Sequence, residues 1–305
     1  MHWLDALYLR LTRRARLFTG GWGDPDRPLE HVAPLLTRSV PEPLRLEFLP
    51  TAARTEEAFV LTPAPLLPPE AARLHVTRLR AQGELAARLV VPPSWGDEGF
   101  RTRTRLLNDL RYRGVEVWLF EGAYFGSRRL EGQRGAAVRT VGDFLRMGLS
   151  NVLEARALVM TALEARPRAP VVLAGYSMAG QMAGHAAASL DAEVPVVAMA
   201  PPNEASVVFC DGPLSEGVEW GALGDGAKER LRRALQQLRV SDQPPPWSSR
   251  RVVVAPRFDG IVAPSSMEQV ARHWGVTPRW VASGHLGAYA LHGRELRAAI
   301  LGAVR

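Results

Sequence analysis

The stretch from Ala169 to Leu190 reads "APVVLAGYSMAGQMAGHAAASL", and no side chain in it carries a fixed charge. A run of this length and polarity folds in one of two ways. It either crosses a bilayer as a single helix, or it is buried in a protein interior as more than one element. Pro170, Gly175, Gly180, Gln181, Gly184 and His185 all fall inside it and make a poor membrane helix. The letters divide better into a strand ("PVVLAGY"), a tight turn at Ser177 and a small-residue helix ("MAGQMAGHAAAS"). A strand without alternation is apolar on both sides, so the sheet that receives it must be covered on both faces.

The chain around this unit repeats the same rhythm. "ARLVVPP" is a β-branched run stopped by two prolines, and a helical stretch follows near 101–113. "GVEVWLF" predicts a strand over 114–120, and a long helical pattern runs from about 135 to 166. After the strand–turn–helix come "VPVVAMA" at 194–200, "RVVVAP" at 251–256 and "PRWVAS" at 278–283. Strands alternating with helices predict an α/β fold, a mostly parallel twisted sheet flanked by helices. Residues 203–248 break the rhythm with "DGPLSEGVEWGALGDG", a charged helix near 226–239 and "QPPPWSS". An insert after a sheet strand commonly forms a cap over a site, and a small cap is expected from this one. Residues 20–85 are irregular, with proline clusters at "PEPLRLEFLP" and "LTPAPLLPPE"; "LRLEF" and "LHVTRL" have the alternation of edge strands.

With 305 residues the chain can bury a large core, and its 47% apolar content is ordinary for a globular protein. Cys210 is the only cysteine, which rules out an intrachain disulfide and any cysteine-rich metal site. A lone cysteine reads first as a small buried apolar residue. The net charge is +7, carried almost wholly by scattered arginines with Lys228 as the single lysine. They are rarely interleaved with aromatics, so no nucleic-acid partner is expected. In "MHWLDALYLRLTRRARLF" the residues Trp3, Leu4, Leu7, Tyr8 and Leu11 share a helical face, with Arg10, Arg13 and Arg14 mostly off it. Such a helix has the pattern for peripheral contact with an anionic membrane through residues 1–18. The simpler expectation is that it packs its apolar face on its own domain. The charges follow the apolar residues, unlike a secretory signal, so a cytoplasmic location is expected.

Gly175-Tyr176-Ser177-Met178-Ala179 is close to G-x-S-x-G, in which a sharp strand-to-helix turn exposes a serine. Small flanking residues are needed because the strained turn brings backbone close to backbone. A serine hydroxyl is a weak nucleophile and needs a histidine to take its proton and a carboxylate to orient that histidine. In this architecture the order is serine, acid, histidine, with the last two on loops after late strands. Asp259 follows "RVVVAPRF" and His285 follows "PRWVASG", spaced 82 and 26 residues along the chain. Asp211, Asp225 and Asp242 fall in the insert, His185 two turns along the helix after Ser177, and His292 inside the final helix pattern. Ser177, Asp259 and His285 are therefore the candidate catalytic residues. The oxyanion of an acyl-transfer intermediate needs donors: the Met178 N–H at the helix start and a second from "PPSWGDEGF", where Trp95 and Gly96 are the candidates because proline has no N–H. No zinc, P-loop or dinucleotide motif appears, so no metal or cofactor is expected.

"GYSMAGQMAG", "VVFCDGPLSEGVEW", "FDGIVAP" and "SGHLGAY" together resemble the α/β-hydrolase domain-containing protein 18 family. "LDALYLRLTRRARLFTGGWGDP", "EGAYFGSRRLEGQ", "VGDFLRMG" and "SWGDEG" extend the likeness almost end to end. The resemblance implies an α/β-hydrolase fold, the same Ser177, Asp259 and His285 set, and an oxyanion loop at Ser94–Asp97. It also implies deacylation of phospholipids such as cardiolipin, the activity associated with mitochondrial members. Three departures stand out: Ala179 for the usual glycine, Glu98 for a histidine, and a shorter region near 240–250. The expected organisation is an N-terminal helix and extended segments packed on the core over 1–80, and a hydrolase domain over 81–305 with its cap-like insert at 203–248. The expected function is a serine hydrolase cleaving carboxylic (acyl) esters, lipase-like and acting on a lipid or phospholipid. Two alternatives are a non-catalytic hydrolase-fold module that binds a lipid or protein, and a serine peptidase.

Overall fold

The computed structural model describes residues 2–12, 16–52, 55–133, 138–165 and 169–305. Arg13 and Arg14 and the side chain of Leu11, part of the expected amphipathic helix, lie outside the described residues. Nine strands among the described residues form one sheet: β1 (Leu49–Ala52), β2 (Thr55–Leu61), β3 (Arg73–Leu79), β4 (Ala87–Val91), β5 (Val115–Phe120), β6 (Val171–Tyr176), β7 (Val196–Met199), β8 (Arg251–Pro256) and β9 (Arg279–Val281). The spatial order is β1-β2-β3-β5-β4-β6-β7-β8-β9. The six strands from β4 to β9 run parallel, and β1, β2 and β3 join antiparallel on the β5 side.

Helices α1 (Trp3–Thr12), α2 (Asp26–Glu30) and α3 (Ala33–Leu36) precede the sheet. Between its strands run α4 (Arg101–Leu107), α5 (Val141–Ala165), α6 (Met178–Ser189), α7 (Ser206–Phe209), α8 (Trp220–Leu223), α9 (Ala227–Gln236) and α10 (Pro264–His273), and α11 (His285–Leu291) and α12 (Gly293–Val304) close the chain. The central strands alternate between two cores. Val172 and Ala174 of β6 and Val252 and Val254 of β8 point to one face, where α12 packs. Val171, Leu173 and Val253 point to the other, against α5 and α6. Both faces are covered, which is why these strands read as unbroken apolar runs. The uncharged stretch that could have been a membrane span is β6 and α6, buried along almost all of their length. Among the described residues no helix is long and apolar enough to cross a membrane.

Two expectations for the N-terminal third change. "LRLEF" is extended but joins no strand; its alternate residues Leu44, Leu46 and Phe48 pack on the core while Leu44 N–H donates to Thr161 Oγ1 at 2.7 Å. Pro41 and Pro43 just before it lack the N–H a ladder requires. "LHVTRL" lies in β3, an interior strand between β2 and β5 and not an edge. Its neighbour β2 went unread because its inward positions hold Glu56 and Ala58, and Glu56 is buried against Arg78 (Nε to Oε2 2.6 Å). The "EGAYFGSRR" segment is a structural knot. Arg128, 1% exposed, donates to both carboxylate oxygens of buried Glu154 on α5 (2.5 and 3.0 Å) and to the carbonyls of Ala71 and Glu121. A buried ion pair is tolerated when its remaining hydrogen bonds are satisfied in this way.

The chain passes from β4 to β5 on one side and returns to β6 on the other side of β4. Loops leaving the carboxyl ends of β4 and β6 therefore diverge, and the crevice between them is where such sheets place ligands. The 203–248 insert is helical, built of α7, α8, α9 and two 3-10 turns. The Val240 N–H to Asn203 carbonyl bond (2.8 Å) closes the insert on itself, and Trp22 Nε1 donating to the Leu223 carbonyl (2.9 Å) ties it to the N-terminal segment.

Candidate active site

Ser177 sits at the junction of β6 and α6 with φ 57° and ψ −124°, a left-handed conformation that costs a non-glycine residue on the order of 1–3 kcal/mol. The turn is held by the Ser177 N–H donating to the Met199 carbonyl on β7 at 2.7 Å. Its sharpness explains the flanking residues. A Cβ on Gly175 would lie 2.2 Å from the Ala179 carbonyl oxygen, and one on Gly180 would lie 3.0 Å from the Gly175 oxygen and 3.1 Å from the Met199 oxygen. The close backbone approaches thus fall on Gly175 and Gly180, while Ala179 is accommodated with its side chain buried.

Asp259 lies on the loop after β8. Its Oδ1 accepts the N–H groups of Ile261 and Val262, both at 2.8 Å, and its Oδ2 faces His285 Nδ1 at 2.7 Å. That bond fixes the Nδ1–H tautomer and leaves Nε2 free of the carboxylate. His285 opens α11 just after β9, and its carbonyl accepts the Tyr176 hydroxyl at 2.6 Å. The Tyr176 ring also packs edge-on to the imidazole, 5.2 Å between centroids. Tyr176 thereby joins the serine turn to the histidine loop, and burial pushes its phenol well above the ordinary range, so it acts as a fixed donor.

Ser177 and His285 line one cavity of about 290 Å³, with Asp259 behind the histidine. Met178, Trp95 and Gly96 line the same cavity. Met178 is the first residue of α6, where N–H groups have no acceptor within the helix. In the loop after β4 the Asp97 N–H is taken up by the Ser94 carbonyl at 3.2 Å, and Ser94 Oγ donates to the Tyr176 carbonyl at 2.6 Å. Buried Arg103 braces the loop by pairing with Asp97 and donating to the carbonyls of Val91 (3.0 Å) and Phe120 (2.8 Å) at the ends of β4 and β5. Burial raises the Asp97 carboxyl and lowers the Arg103 guanidinium, and the two charges offset that by facing each other. Sequence reasoning missed Ser94, Tyr176 and Arg103 in these roles, because they act largely on main-chain carbonyls that no motif records.

The other candidates lie elsewhere. His185 is buried beyond the cavity, bonded to Gln243 and the Leu238 carbonyl, and His292 is part-exposed beside Glu295. Asp211 pairs with Arg232 and Asp242 lies near Arg239, while Asp225 is exposed. Glu98 pairs with Arg129 and accepts the Gly126 N–H at 3.0 Å, facing away from the cavity. Cys210 is buried and its thiol is pushed up to about 11 by that burial, which keeps it protonated. Most of the remaining lining is apolar and aromatic, with Thr102 and Gln181 as polar exceptions. Trp95 packs against Phe144 and Phe209, and the insert contributes Val208, Leu214, Leu235 and Leu238.

A parallel sheet with this strand order, a serine at a positive-φ strand–helix turn and an acid–histidine pair on the next loops define an α/β-hydrolase fold. Within that class, the chain belongs to the Alpha/beta hydrolase domain containing 18 family, whose pattern matches residues 15–250. The matched span includes Ser177 and the loop after β4 and ends before Asp259 and His285. The fold is similar to that of an acetyl xylan esterase from Paenibacillus sp. R4 (TM-score 0.60, 15% identity, 96% of this chain and 99% of that one). It is similar also to a serine hydrolase from Xanthomonas campestris described as having no lid (TM-score 0.52, 17% identity, 84% and 97%). Acylaminoacyl peptidase of Pyrococcus horikoshii matches over 82% of this chain and 41% of its own length (TM-score 0.57, 12% identity).

Proposed function

We propose that the protein is a serine hydrolase that cleaves carboxylic esters with an apolar acyl group. One observation carries the reading: the histidine whose Nδ1 lies 2.7 Å from Asp259 lines the same cavity as the strained Ser177. Ser177 Oγ attacks the acyl carbonyl as its proton passes to His285 Nε2. The Met178 N–H and that of Trp95 or Gly96 hold the resulting oxyanion. The imidazolium protonates the departing alkoxide, leaving an acyl-enzyme. His285 then takes a proton from water, whose oxygen attacks the acyl carbon, and the acid is released as Ser177 recovers its proton.

The apolar lining supports an acyl chain as the group that is recognised, and acyl lipids are the natural class of substrate. A cavity of about 290 Å³ is at the small end of the roughly 300–1,000 Å³ usual for small-molecule sites. Each methylene buried contributes about 0.8 kcal/mol, so kcat/KM for p-nitrophenyl esters rises about fourfold per carbon until the cavity is full. Purified, folded protein that turns over no ester contradicts the proposal and favours a binding module. Turnover of peptides alone points to a peptidase.

A second observation bears on where the substrate is met. On α1, Trp3 (65% exposed), Leu7 (47%) and Arg10 face outward, while Tyr8 on the inner side lines the cavity. An apolar and basic outer face beside a cavity wall favours contact with an anionic lipid surface. Co-sedimentation with anionic vesicles is expected to exceed that with zwitterionic ones and to fall in Trp3→Ala/Leu7→Ala. Equal partition of both proteins into both vesicles contradicts the contact.

A further inference from the structure

Among the described side chains of α1, Asp5 is the most deeply buried, at 0% exposure, although the helix pattern places it among leucines. The apolar stripe of α1 divides here: Tyr8 packs on the core, Trp3 and Leu7 stay outside, and the carboxylate of Asp5 goes in. The reason lies in what it meets. Asp5 Oδ2 accepts the His285 N–H at 2.8 Å and the Gly260 N–H at 2.9 Å, and Oδ1 accepts the Leu286 N–H at 2.9 Å. Buried N–H groups demand an acceptor, and a single carboxylate supplies one for three of them.

Two of these donors belong to the loops that carry the proposed acid and base. Gly260 follows Asp259 directly, and His285 is the proposed base itself, 280 residues from Asp5 in the chain. The glycines around His285 record the same docking. A Cβ on Gly284 would lie 2.2 Å from His2 Cβ and 2.6 Å from Asp5 Oδ2, while one on Gly287 would meet Ser283 Oγ first, with His2 Cε1 at 3.1 Å. The residue before His285 is thus cleared for the N-terminal segment.

We propose that Asp5 is a positioning residue: it locks the main chain of His285 to the Asp259 loop, so that the first helix of the chain completes the catalytic centre. The proposal rests on the Ser177–His285–Asp259 reading above. Asp259 holds the ring of His285, Tyr176 holds its carbonyl, and Asp5 holds its N–H. Without the Asp5 carboxylate these amides lose their acceptor, and the acid and base loops are free to shift against each other. A displacement of about 1 Å at a catalytic group costs on the order of 10²-fold in rate.

The test compares wild type, Asp5→Asn, Asp5→Ala and Ser177→Ala on a short p-nitrophenyl ester, with the downfield Nδ1 proton of His285 read by NMR. Asp5→Asn keeps one accepting oxygen and is expected to lose about tenfold in kcat; Asp5→Ala is expected to lose about 10²-fold. KM stays within about twofold in both, and the downfield proton broadens or disappears. Wild-type kcat together with a wild-type proton signal in Asp5→Asn overturns the proposal, as does a loss confined to KM. The NMR signal is read whether or not the ester is turned over. Should the variants fail to fold, hydrogen exchange in the wild type decides: protected amides at Gly260, His285 and Leu286 support the proposal, and exchange at free-loop rates overturns it. Activity surviving in Ser177→Ala strikes the nucleophile assignment instead, so the two failures are distinct.

Discussion

His185 and His285 are both buried, at 1% and 5% exposure, and lie on helices that each follow a parallel strand. Their partners differ in charge. His285 Nδ1 meets the carboxylate of Asp259, itself fixed by two N–H groups, and the ring borders a cavity. His185 Nδ1 meets the amide oxygen of Gln243 at 2.5 Å and its Nε2 the Leu238 carbonyl at 3.1 Å, with the Gln243 nitrogen committed to the Leu35 carbonyl. Neither ring nitrogen of His185 meets a charged group, and burial lowers its pKa below the usual histidine range, outweighing the hydrogen bonds to Gln243 and Leu238, which raise it. A base must gain a proton during the reaction, and only a ring with a countercharge can do so in the interior. Burial does not separate the two histidines; the anionic partner and the bordering cavity of His285 do.

Substitution can break this contrast, starting with the largest effect. His285→Ala is expected to lower kcat on the order of 10⁶-fold, since residues that act as a unit fail together, whereas His185→Gln is expected to keep kcat within about threefold. Steady-state ester hydrolysis compares the two directly. Asp259→Asn removes only the charge that separates the two sites and is expected to cost about 10⁴-fold in kcat with folding intact. A loss smaller than about tenfold would mean that the Asp259 charge is not what distinguishes His285.

The next effect is on stability and reads His185 alone. Burial lowers this imidazole from the ordinary histidine value of 6.5, so the unfolded chain binds a proton first as the solution is acidified. Stability is then fully present above about pH 6.5 and falls as pH drops toward the lowered value, by up to about 1.4 kcal/mol per pH unit. Urea denaturation at pH 7 and pH 5 is expected to show this loss in the wild type and a smaller one in His185→Gln. The smallest effect concerns the serine turn. Because the close approaches fall on Gly175 and Gly180, Ala179→Gly is expected to leave kcat within about twofold and to cost about 0.5–1 kcal/mol through helix entropy. Thermal unfolding and ester turnover check both halves.

What could be read from the chain follows from where chemistry leaves side-chain marks. The strand before Ser177, the small residues after it, and Asp259 and His285 behind late β-branched runs all stand out in composition and order, and the fold brings them to one end of the sheet. Asp5 left no such mark, since all three of its partners are main-chain N–H groups at the far end of the chain. The amphipathic pattern of α1 marks Tyr8, which packs on the core, but not Asp5, which is buried with it while Trp3 and Leu7 stay exposed. β2 hid for a related reason: its inward Glu56 is neutralised by Arg78 on β3, a partner that period-two reasoning does not see. Local patterns report burial well, and they fail where a buried position is polar and satisfied from a distance.

The proposed chemistry turns on Ser177, activated by His285, forming a covalent acyl-enzyme. Incubation with an alkyl fluorophosphonate followed by peptide mass spectrometry tests it most directly. One adduct per chain is expected, located on Ser177, absent in Ser177→Ala and slowed by orders of magnitude in His285→Ala. An adduct on another residue, or equal labelling of wild type and Ser177→Ala, would contradict it.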